Sequence, residues 1–89
     1  MIAARLETGE AAELTSVEGE GALLVAPRAY APGAPLRLDA LLADGELPLE
    51  AKCLGSKRRP DGRFDVRIRW INLRRTDRER LAGQLGDGD

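Results

Sequence analysis

Arg63-Phe64-Asp65-Val66-Arg67-Ile68-Arg69-Trp70-Ile71-Asn72 alternates apolar and charged residues and contains the chain's only Phe and only Trp. Side chains of a β-strand alternate faces with period two, so this spacing predicts a strand. Phe64, Val66, Ile68 and Trp70 then share the core face, while Arg63, Asp65, Arg67 and Arg69 share the outer one. A helix would scatter both sets around its axis.

Working outward, the 89 residues make one domain. By size scaling such a domain buries roughly 60–65% of its unfolded surface. Hydrophobic residues are 43% of the chain but aromatics only 3%, so Leu, Val, Ile and Ala must build most of the core. Trp70 and Phe64 are therefore expected to carry a large share of the stability. The formal charge of −1 hides an asymmetry, since residues 1–50 hold three basic side chains against nine acidic and residues 51–89 hold eleven against six. Charge of this kind speaks to docking or self-association, a homodimer included, and not to fold. Strands from the two halves can also intermix on the folded surface, which would cancel it.

Before the opening stretch, Met1–Glu7 and Ala11–Glu18 read as strands divided by a Thr8-Gly9-Glu10 turn. Gly19-Glu20-Gly21 breaks the chain ahead of Ala22-Leu23-Leu24-Val25-Ala26, a compact apolar run of the length of a buried strand. Three of the five prolines fall in the loop 27–35, where Pro32-Gly33 suits a type II turn. Leu36, Leu38, Ala40 and Leu42 then alternate up to Asp44-Gly45, a strong hairpin signal. The return strand places Leu47, Leu49, Ala51 and Cys53 inward, and Pro48, which lacks an N–H, belongs near the strand start or on an edge. Gly55–Gly62 reads as a polar loop closing on Pro60-Asp61-Gly62. After Asn72, Thr76-Asp77-Arg78-Glu79 fits a capping box, with Leu81, Ala82 and Leu85 as the apolar stripe of a two-turn helix ending near Gly83 or Gly86. Residues 86–89 are expected to fray. The whole predicts an all-β fold of five or six short antiparallel strands and one short C-terminal α-helix, a small barrel or sandwich.

The chemistry of the residues points away from catalysis. With no His, a Ser or Cys nucleophile lacks its commonest general base and a zinc site its usual ligands. Gly19-Glu20-Gly21 is too short, and too acidic, for a phosphate-cradling loop. No enzyme activity and no cofactor or metal is expected. The lone Cys53 cannot close an intramolecular disulfide and reads as a small core residue of a reduced, cytoplasmic protein. No apolar run approaches the ~20 residues that span a bilayer, so no membrane association is expected. Nucleic-acid binding would call for exposed aromatics among the basic residues, yet Phe64 and Trp70 lie on the apolar phase.

The order of Gly21–Val25, Ala31-Pro32-Gly33-Ala34-Pro35-Leu36-Arg37-Leu38, the Asp44-Gly45 hairpin and Gly62–Trp70 before a short helix resembles the PilZ domain family over residues 11–85. That resemblance implies a six-stranded barrel with a C-terminal helix, and many members are bacterial receptors for cyclic di-GMP. The family's ligand motifs are degenerate here. An Arg-x-x-x-Arg pair is missing, since Arg5 is followed four residues on by Gly9. Of Asp/Asn-x-Ser-x-x-Gly only Gly21 survives, with Ser16 at the Asp/Asn position and Glu18 at the Ser position. A carboxylate at Glu18 would oppose a dianionic ligand. The resemblance therefore implies a non-enzymatic bacterial regulatory domain that has lost cyclic di-GMP binding and acts through protein–protein interaction, in motility or surface behaviour. Its expected contact surface is Lys57, Arg58, Arg59, Arg63, Arg67 and Arg69, since arginine suits interfaces and bidentate carboxylate binding. The other reading is a cyclic di-GMP receptor using a non-standard arginine set.

Overall fold

The computed structural model describes residues 1–86. Six strands, β1 (Ile2–Leu6), β2 (Ala11–Glu18), β3 (Gly21–Ala26), β4 (Pro35–Leu42), β5 (Gly45–Arg58) and β6 (Phe64–Trp70), precede one helix, α1 (Arg75–Gly86). Every neighbouring pair is antiparallel, and the order β1-β2-β3-β6-β5-β4 closes on itself as a barrel. Closure satisfies both edges of the central strands and encloses the alternating apolar residues. Leu14, Leu24, Val66 and Ile68 meet at cross-strand positions near the middle of the lumen, each at most 1% exposed. Cys53 opposes Ile68 and is buried with them.

The opening stretch forms β6, with Val66, Ile68 and Trp70 buried, though the strand ends at Trp70 and Arg63 lies in the preceding turn. Phe64, expected in the core, is only half-buried because it sits at the barrel's mouth against Ala26 and Arg58. Tyr30, also half-buried, packs against the core at the same end.

Three turns follow their residues closely. Ala34 N–H donates to the Ala31 carbonyl at 3.0 Å across Pro32-Gly33, with Gly33 at φ 88° as a type II turn requires. Asp44-Gly45 joins β4 to β5. At Pro60-Asp61-Gly62 the Gly62 N–H donates to the Arg59 carbonyl at 3.1 Å, and Gly62 takes φ 87° before Arg59 N–H meets the Arg63 carbonyl at 2.7 Å. A side chain at that φ is strained even though space is open around Gly62. Gly62→Ala is expected to cost about 1–2 kcal/mol, read as a shift of the urea midpoint at unchanged m-value.

The expected polar loop from Gly55 is a correction. β5 runs on to Arg58, so Lys57 and Arg58 are strand residues and Arg59 opens the turn. The ladder skips between Cys53 and Gly55, and this bulge carries Ser56 to the inner side opposite Val66. There its hydroxyl donates to the Tyr30 carbonyl at 2.8 Å and accepts from the Tyr30 N–H at 2.9 Å. A polar side chain is thus tolerated inside because a loop backbone completes its bonds.

At the other end, Pro48 lies in the part of β5, Gly45–Leu49, that pairs with β4 alone; on the other edge the Glu50 carbonyl accepts from the Ile71 N–H at 2.9 Å and the β6 ladder starts at Ala51. Its expected edge position is met. The chain leaves β6 through Asn72, a non-glycine residue at φ 55°, which turns it toward the helix. The helix starts at Arg75, and the Arg74 carbonyl accepts from the Arg78 N–H at 3.0 Å. Thr76 is consequently the second helical residue, and the expected capping box does not form. The helix runs through Gly83 to Gly86, longer than two turns. Of the expected stripe, Leu81 is fully buried and Ala82 is exposed. The Leu85 side chain and residues 87–89, which hold most of the tail expected to fray, lie outside the described residues.

A candidate interaction face between two bulges

The outer surface of β2, β3, β6 and β5 holds most of the sequence-derived candidates, and register arranges them in rows. Glu13, Val25, Asp65 and Lys57 form one row; Ser16, Leu23, Arg67 and Gly55 the next; Gly21, Arg69 and Lys52 the third. In the first row Val25 is 1% exposed despite its outward phase. It is flanked by carboxylates whose partners arch over this surface, with Arg63 to Glu13 at 3.7 Å and Arg59 to Asp65 at 2.8 Å. Arginine stems cover apolar surface in this way.

The middle row is different because a bulge sits on each side of it. The β2–β3 ladder skips Thr15 between Leu14 and Ser16, and the β5–β6 ladder skips Leu54 between Cys53 and Gly55. Both irregularities flank the same cross-strand pair, Leu23 and Arg67. Bulges bend a strand and re-aim its side chains, and they gather at functional surfaces. Here Leu54 is turned out to 48% exposure, and an open hollow of about 370 Å³ forms among Ser16, Gly21, Leu23, Leu54 and Arg67.

The charged candidates divide by their partners. Arg59 and Arg63 are engaged, sharing the Asp61 carboxylate at 3.3 and 3.5 Å besides their other pairs. The Arg63 N–H donates to Asp61 Oδ1 at 2.9 Å and, with the Arg59 guanidinium, holds that carboxyl below its ordinary range. Arg69 meets Glu20 at 3.2 Å. Among the described residues no carboxylate lies within ion-pairing distance of Lys52, Lys57, Arg58 or Arg67. The expected arginine surface is therefore split: Arg59, Arg63 and Arg69 are ion-paired, whereas Arg58 and Arg67, the latter beside the hollow, have no carboxylate partner among the described residues. Of the degenerate motif positions, Ser16 and Gly21 line that hollow; the Glu18 side chain lies outside the described residues.

The charge halves intermix. Arg63–Glu13, Arg69–Glu20 and Arg80–Asp44 each join one half to the other. Exposed pairs like these contribute about 0–1 kcal/mol each, so they neutralise the surface more than they stabilise it. A larger groove of about 750 Å³ lies between the β4–β5 arm and residues 71–77. Its charges are mutually satisfied in part, Arg37 with Glu50 at 3.8 Å and Asp39 with Arg5 at 3.5 Å, and it holds none of the sequence-derived candidates.

Leu54 and the two bulges escaped the sequence reading. One signal was present: Leu54 is an apolar residue on the polar phase of its strand, directly after inward Cys53. Among the described residues no helix is long and apolar enough to cross a membrane, and no three His, Cys, Asp or Glu residues gather as a metal site. No family model, curated protein or solved structure matches the chain.

Proposed function

We propose that this chain is a PilZ-like bacterial regulatory domain that has lost cyclic di-GMP binding and works by docking a protein partner on the outer face of β3, β6 and β5. The observation that carries the reading is the juxtaposition of unengaged Arg67 with exposed Leu54 and half-buried Leu23 between two bulges. Arginine beside a desolvatable apolar side chain is the combination enriched at interface centres. A closed six-stranded barrel with a C-terminal helix agrees with the architecture that the sequence resemblance implies. Assignment to motility or surface behaviour rests on that resemblance alone.

Arg67→Ser combined with Arg69→Ser is expected to reduce partner recovery from the native host at least about tenfold, the equivalent of 1.4 kcal/mol. Recovery unchanged by the double substitution defeats the arginine face. Calorimetric titration with cyclic di-GMP is expected to give no saturable heat. The receptor reading has one observation of its own, that Ser16, Gly21 and Arg67 line one hollow. A submicromolar, salt-sensitive affinity would establish it instead.

A further inference from the structure

We infer that the hollow between the bulges seats an acidic, amphipathic segment of a partner protein, one aliphatic side chain entering between Leu23 and Leu54 and flanking carboxylates meeting Arg67 and Lys52. This rests on the protein-interaction reading and specifies what the partner must present. Shape argues for a side chain over an enclosed small molecule. Sites for small ligands bury roughly 70–90% of the ligand surface, whereas this hollow is open and lies on the convex side of a sheet. Backbone recognition by strand addition is excluded at this level, because β3 and β6 are each paired on both edges. Recognition must then come from side chains.

Charge sets the sign of the partner. The β5 and β6 outer face presents Lys52, Lys57 and Arg67 without carboxylate partners among the described residues, and Arg58 continues the series at the strand end. Among the described residues the carboxylates bordering this face, Glu13, Glu20 and Asp65, are already held by Arg63, Arg69 and Arg59. Carboxylates of a partner then meet Lys52, Lys57 and Arg67, on the side of the hollow away from β2, and an aliphatic residue between them covers Leu54. An apolar segment without acids would leave Arg67 desolvated and unpaired, which is costly.

A random peptide library displayed on phage, selected on the immobilised full chain, tests this. The expected result is enrichment of sequences with Leu, Ile, Val or Phe flanked by Asp or Glu. Synthetic versions should bind the Leu54→Ser and Arg67→Ser proteins at least about tenfold more weakly and weaken as salt rises. Binding should be unchanged by Ile71→Ser, an exposed apolar position outside the hollow. Selection of basic peptides, no enrichment, binding indifferent to Leu54→Ser, or a Leu54-dependent dimer in sedimentation would each overturn the inference. Such a failure alongside Arg67-dependent recovery of the host partner leaves the interaction reading standing, whereas recovery indifferent to Arg67 removes that reading itself.

Discussion

Trp70→Ala is expected to lower the unfolding free energy by about 3–5 kcal/mol, the range for deleting a large core side chain, while Phe64→Ala, at a half-buried position, should cost less than the roughly 1.5–3 kcal/mol that full burial of such a side chain contributes. From sequence the two aromatics are equivalent, both on the apolar phase of one strand. Their environments separate them. Trp70 is 6% exposed, opposes Ala51 and faces the end of the barrel that the helix covers. A small neighbour such as Ala51, fully buried, cannot fill the space an indole leaves. Phe64 lies at the opposite mouth, where solvent already reaches its ring. Domains of this size have total stabilities of about 5–15 kcal/mol, so the Trp70 variant should lose between about a fifth and all of its margin. Urea unfolding decides the matter, and equal losses at the two positions would contradict the burial difference.

Leu81→Ala should cost about 3–5 kcal/mol, as other fully buried leucines do, and should also release the helix. Leu81 is 0% exposed and belongs to the barrel core. Among the described residues, two further attachments are polar and exposed: the Ala43 N–H donating to Gln84 Oε1 at 2.9 Å, and Arg80 meeting Asp44 at 3.1 Å. Little in the helix favours its forming alone. Twelve residues are marginal in water, and Arg74, Arg75 and Arg78 crowd the positive end of the macrodipole, with Asp77 as the acidic residue of the first turn. Hydrogen exchange reads the second effect: amides of α1 in the variant should lose protection ahead of those in β3 and β6. A helix that exchanged together with the barrel would show that Leu81 is not its anchor.

Much of the barrel was legible because its strands obey a two-residue period and its turns carry turn chemistry. Val66, Ile68 and Trp70 announced β6, and Asp44-Gly45 and Pro60-Asp61-Gly62 announced their hairpins. What escaped depends on partners distant in sequence. Gly55-Ser56 looks like loop because a polar residue there has no reason to face inward until Tyr30 supplies a backbone N–H and carbonyl. The helix start was misplaced for a similar reason: Thr76-Asp77-Arg78-Glu79 satisfies the capping pattern, but Asn72 in a left-handed conformation has already turned the chain, and Arg74 takes the cap position. The candidate site was half legible. Arg67, Ser16 and Gly21 could be singled out by phase and resemblance, whereas a bulge is a property of cross-strand register, which one strand read alone does not contain.

The stretch Gly45–Leu49, paired on one edge only, has a consequence for behaviour at high concentration. An exposed strand edge is a template on which a second molecule can add a strand and start a cross-β stack. Pairing on both sides removes this hazard from β3 and β6, and at the Gly45–Leu49 edge the imino acid Pro48 interrupts the row of donors, with the ion pairs Arg5–Glu46 and Arg37–Glu50 on either side of it. Replacing the ring at position 48 would therefore touch colloidal lifetime more than folding, making one proline a gatekeeper against fibril growth at this edge.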